Sequence, residues 1–144
     1  MNRYKFRYVF KHKNNDDLRY EYWNLDDIQY GVGNNKQNIN EIIQSLKYDG
    51  YELIKRDISS GLTLDNGIDI YNNDIVEFNW STFASDNKSI CLIIYNNTER
   101  KWKMQVLGFD KAAEDWNRAK GFDLSFVIPN QFKIIGNEYQ NDIN

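Results

Sequence analysis

Thiolate or imidazole chemistry in this chain of 144 residues rests on one cysteine, Cys91, and one histidine, His12. His12 sits between Lys11 and Lys13, and a lone imidazole cannot build a multi-histidine zinc site, so it reads as an exposed structural residue. Cys91 lies in the apolar run Ile90-Cys91-Leu92-Ile93-Ile94, which offers no activating charge, so a small buried hydrophobe is expected. Carboxylates are more plentiful: Asp16-Asp17, Asp26-Asp27, Asp65, Asp69 and Asp74. Neighbouring aspartates on an extended chain point to opposite faces, so each doublet gives a site at most one oxygen donor group. The run from Asp65 to Asp74 lacks the ordered oxygen spacing of a calcium loop, and turn capping explains it. No metal and no cofactor is expected.

Two further patterns resemble ligand sites. Gly31-Val32-Gly33 lacks the Lys and helix start that a phosphate loop needs. Arg100, Lys101, Trp102 and Lys103 could place an aromatic face among cations, as single-strand-binding barrels do. Alternation with Met104 and Val106 predicts instead that Trp102 points inward.

The elements that must hold these residues follow from periodicity. Tyr4, Phe6, Tyr8 and Phe10 alternate with Lys5, Arg7 and Lys11, and Leu18, Tyr20 and Tyr22 alternate after the turn residues at 13–17. Residues 3–23 are therefore read as a β-hairpin with one buried face. Ile39, Ile42, Ile43 and Leu46 fall at helical spacing behind Asn38, with Glu41 three residues on and Gly50 as a stop, predicting a helix over 39–48. Strands follow in YELIKRDI, SICLIIY, RKWKMQVL and FKIIGNEY, the last ended or bulged at Gly136. A second helix is expected over 111–120, capped by Asp110 and stopped by Gly121.

Composition fits one folded domain over 1–144: 41% hydrophobic and 15% aromatic residues with a single Pro argue against disorder. The net charge of -3 is uneven. Residues 1–20 are basic, while residues 21–80 carry eleven Asp or Glu against four Lys or Arg. No segment is apolar enough to span a bilayer, and the basic start lacks an apolar core of signal type, so a cytoplasmic protein is expected.

The stretch GLTLDNGIDIYNNDIVEF reads as strand, tight turn, short strand, turn and strand, with Asn66-Gly67 as the hairpin signal. Here the chain resembles the YopX-like proteins of bacteriophages and prophages. The matching residues are Gly61, Leu62, Asn66, Gly67, Ile70, Tyr71, Asp74, Ile75 and Val76, with Lys5-Phe6-Arg7 near the start and Ile135, Gly136, Asn137, Tyr139 and Asn141 near the end. The chain departs from the pattern at Ser59 and Ser60, where Tyr and Thr are usual, and at Asn73, where Gly is usual. The resemblance implies a mainly β (α+β) fold with an SH3-like small barrel core, here carrying two short helices, and a phage setting. It implies no catalytic residues, and the motif positions read as turn and barrel-closing elements.

The resulting expectation is a non-enzymatic binding protein acting on a host or phage macromolecule, most plausibly a protein, through an acidic surface bearing Asp26, Asp27, Asp65 and Asp69. Opposite potential speeds encounter and selects partners. The rival expectation is a nucleic-acid-associated barrel using Arg7, Lys11, Arg100, Lys101 and Lys103 on phosphates.

Overall fold

The computed structural model describes residues 5–64, 66–79, 88–109, 122–123 and 132–140. Over these residues the fold is mainly β, with two antiparallel sheets and two short helices. Among the described residues the strands close no barrel. The chain divides into two compact units, Met1–Gly61 and Leu62–Asn144.

In the first unit, β1 (Lys5–His12) and β2 (Leu18–Asn24) form the expected hairpin, in register from Lys5↔Asn24 to Lys11↔Leu18. Its turn places Asp16 at φ 60°, and Asn15 Oδ1 accepts from the Asp17 N–H at 2.9 Å. Along the other side of β1 runs β3 (Tyr51–Thr63), also antiparallel. Val9 pairs with Lys55 and Phe10 with Leu53, so Ile54 faces no residue of β1 and forms a β-bulge.

Phe6, Tyr8, Phe10 and Trp23 pack against Ile39, Ile42, Ile43 and Leu46 of α2 (Ile39–Tyr48). The Tyr8 and Trp23 rings lie 4.6 Å apart between centroids. The polar side of β1 is covered as well, because Arg7 and Val9 are buried, where alternation alone predicts one solvated face. The helix over 39–48 forms with the expected bounds. Asn38 caps it through Oδ1, which accepts from the Asn40 N–H at 2.8 Å in place of the anticipated exchange with Glu41. Past its end Gly50 takes φ 97°, a conformation strained for any residue with a Cβ, and a Cβ there would also push the His12 imidazole aside.

The second helix of the described chain is α1 (Leu25–Tyr30), which periodicity did not reveal. The helix expected over 111–120 lies outside the described residues.

β3 crosses into the second unit, turns through Leu64–Ile68 and pairs with β4 (Asp69–Tyr71), giving the sheet order β2-β1-β3-β4. The other sheet comprises β5 (Asp74–Asn79), β6 (Lys88–Asn96), β7 (Lys101–Phe109), β8 (Phe122–Asp123) and β9 (Phe132–Asn137), in the order β8-β7-β6-β5-β9. Leu64, Ile70, Val76, Cys91, Ile93 and Met104 form its core, with Leu62, Trp102 and Ile134 packed alongside. Each fully buried aliphatic side chain of this kind contributes roughly 1.5–3 kcal/mol.

Candidate functional site

The residues of the GLTLDNGIDIYNNDIVEF stretch build turns and core. Gly67 takes φ 85°, the Leu64 N–H donates to Ile68 O at 2.8 Å, and Asn66 Oδ1 accepts from the Ile68 N–H. Upstream, Gly61 has φ 83°. Ile70, Tyr71 and Val76 are buried. Asp74 is buried too, and its Oδ2 accepts from the Tyr71 N–H at 2.8 Å, closing the second turn. Asn73, in the left-handed region at φ 74°, donates its backbone N–H to Ile93 O at 2.7 Å.

The residues around Asp74 and those around Asn137 meet in space. β5 and β9 pair Asp74 with Asn137 and Ile75 with Gly136. Asn73 O accepts from the Glu138 N–H, Asn73 Nδ2 donates to the Tyr139 hydroxyl, and Asn137 Oδ1 accepts from the Tyr139 N–H.

The acidic candidates belong to both units. Asp26 and Asp27 occupy the first turn of α1, where carboxylates oppose the helix dipole favourably. Asp27 is committed to a capping box: its Oδ2 accepts from the Asn24 N–H at 3.0 Å while Asn24 Oδ1 accepts from the Asp27 N–H at 2.8 Å. Asp26 is exposed. Both line a shallow cavity of about 480 Å³ with Tyr30, Gly31 and Lys36. Asp69 belongs to the second unit, half-buried, and accepts from the Thr63 hydroxyl at 2.7 Å. Asp65 lies outside the described residues.

The basic candidates are largely engaged. Arg7 Nε and Nη2 both donate to Asp57 Oδ2, at 3.0 and 2.8 Å, in a fully buried pair. Lys11 Nζ approaches Asp16 Oδ1 at 3.8 Å, and Lys103 is ion-paired with Glu99. Arg100 takes φ 57° in the turn between β6 and β7, with Lys101 exposed beside it. Trp102 packs on the second core, its ring 5.5 Å from Tyr95 in an edge-on contact, as its alternation with Met104 predicts.

Cys91 is fully buried, and burial pushes its thiol up to about 12, which suppresses the thiolate. His12 is half-buried, not exposed; its Nδ1 accepts from the Asn14 N–H and its ring meets Tyr51 edge-on at 5.0 Å. The Tyr51 hydroxyl donates to Asp17 Oδ2 at 2.6 Å, and this bond to a carboxylate raises the tyrosine above its ordinary value. Among the described residues no group of three His, Cys, Asp or Glu side chains could hold a metal ion, and no helix is long and apolar enough to cross a membrane.

A feature unseen in sequence is a second cavity of the first unit, of about 340 Å³, formed by α1, the start of α2 and β3. Its wall is mixed, with Ile28, Ile39, Ile43 and Leu53 beside the polar Asn38, Asn40 and Arg56, and the Arg56 guanidinium sits 6.0 Å from the Tyr8 ring centroid. The pairing of Tyr8 with Arg56 that builds it depends on β-register between distant segments, which no local pattern encodes. In comparisons with known proteins, no family model matches the chain and no curated protein matches its sequence.

Proposed function

We propose that this chain is a YopX-like, phage- or prophage-encoded binding protein without catalytic activity, acting on a host or phage protein in the bacterial cytoplasm. The observation that carries this reading is a set of partly exposed apolar side chains on two elements of the first unit. Leu25, Ile28 and Tyr30 project from α1, a helix with no buried residue, and Leu53, Ile54 and Ile58 are exposed on β3. A helix with no fully buried residue gains less from packing within its own chain than α2 does, and its half-covered apolar side chains are available to a partner. Asp26, exposed on the same helix, supplies the negative charge that would select a basic rim on the partner. An SH3-like core for the second unit draws support from the strand order β8-β7-β6-β5-β9, in which the last strand returns to lie beside the first.

The test is a tagged pull-down from bacterial lysate, with and without nuclease, read by mass spectrometry. A protein that survives nuclease and is lost with Ile28→Glu and Tyr30→Glu supports the reading. Recovery that disappears with nuclease would replace it with nucleic-acid contact through Lys11, Arg100 and Lys101.

A further inference from the structure

Resting on that reading, we propose that the 340 Å³ cavity of the first unit takes an acidic, aliphatic segment of the partner protein. In this arrangement a Leu- or Ile-type side chain fills the cavity, and a neighbouring Asp or Glu carboxylate pairs with Arg56.

The volume lies at the lower end of the range of roughly 300–1,000 Å³ typical of ligand pockets. Ile28, Ile39, Ile43 and Leu53 line it, so an aliphatic group entering would exchange water for apolar contact on several sides. Ile28 and Leu53 are each about two-fifths exposed, so the wall keeps apolar surface open to an occupant.

Charge decides the rest. Arg56 is exposed, rests over the Tyr8 ring, and has no carboxylate within ion-pair distance among the described residues. No Asp or Glu lines the cavity. A basic segment would meet Arg56 without a counter-charge, whereas a carboxylate would gain a charge-assisted bond from a guanidinium already oriented by an aromatic face. Nucleic acid fits poorly, because the one aromatic ring in the wall, Tyr8, is itself buried and offers no stacking platform.

The experiment pans a random peptide display library on the immobilised protein and on its Arg56→Gln and Ile28→Ser variants. Enriched peptides are then synthesised with each acid or its amide, and their binding is mapped by amide chemical shifts. The expected result is enrichment of peptides with Asp or Glu beside Leu or Ile, shifts centred on Ile28, Ile39, Leu53 and Arg56, and affinity reduced about tenfold or more by Arg56→Gln or by the amide peptide. Both sites are exposed rim positions, and circular dichroism of the variants confirms the fold. Absence of enrichment, peptides without an acid, equal binding by Arg56→Gln, or octanoate displacing every peptide would overturn the proposal. If the pull-down partner survives nuclease and binds Arg56→Gln unchanged, the cavity assignment falls while the binding function stands. If no lysate protein is captured yet acidic peptides bind the wild type alone, the proposed function fails and the cavity remains.

Discussion

Asn73 Nδ2 donates to the Tyr139 hydroxyl at 3.0 Å, tying the turn before β5 to the residues that follow β9 across 66 positions of chain. The same asparagine holds φ 74°, a conformation that costs an L-residue with a Cβ about 1–2 kcal/mol and glycine almost nothing. Asn73→Gly therefore trades the lost side-chain bond for relief of the backbone, whereas Asn73→Ala loses the bond and keeps the strain. Urea unfolding should rank stability as wild type close to glycine and alanine lower by about 1–2 kcal/mol. Alanine as stable as glycine would show that the left-handed geometry does not matter here.

The Arg7–Asp57 pair has a different energetic logic, since both side chains are out of water and share one carboxylate oxygen. Removing either partner takes from the other its charge-assisted bonds in a site out of water, so Arg7→Met and Asp57→Asn should each destabilise by about 3–5 kcal/mol. The double replacement by apolar residues should recover part of that loss, and a double-mutant cycle measures the coupling. Simple additivity of the two single losses would contradict the pairing.

These two relationships mark where sequence reasoning stops. The β1–β2 hairpin, α2 and the Leu64–Ile68 turn were legible because each is specified within a few residues by period, cap or Asn-Gly. α1 was not, because six residues complete fewer than two turns and show no apolar stripe; its one signal was Asn24 with Asp27 three positions on. Arg7 read as a solvent-facing cation because its partner lies 50 residues away and only the β1–β3 register joins them. The Arg56 cavity was hidden for the same reason. Of the acidic residues proposed for binding, sequence supplied the residue types but could not separate the cap Asp27 from the exposed Asp26.

That separation yields a test within one doublet. Asp27→Ala removes half of a capping box and should cost about 1 kcal/mol, with faster amide exchange across α1. Asp26→Asn loses only its favourable charge at the helix start, so it should cost well under the Asp27→Ala loss, about 0.3–0.5 kcal/mol, while weakening the partner complex, measured by titration calorimetry against the protein recovered from lysate. Equal stability loss in both, with binding untouched, would reduce α1 to a structural turn.

Cys91 gives a pH signature whose sign follows from its burial. Folding raises its thiol from 9.0 to about 12, so native and unfolded chains are both protonated below pH 9, while between pH 9 and 12 the unfolded chain ionises first. Stability should therefore fall through that window, at up to about 1.4 kcal/mol per pH unit from this group. Cys91→Ala loses some packing at neutral pH but removes this slope, so its stability curve should converge on the wild type from below as pH rises past 9. Tyr51, raised by its bond to Asp17, pushes in the same direction in both proteins and cancels from the difference. Parallel curves for the two proteins up to pH 11 would mean that the thiol is not held in a desolvated core. Thiol reagents should report the same geometry, leaving Cys91 unreacted at pH 8 until urea opens the second unit.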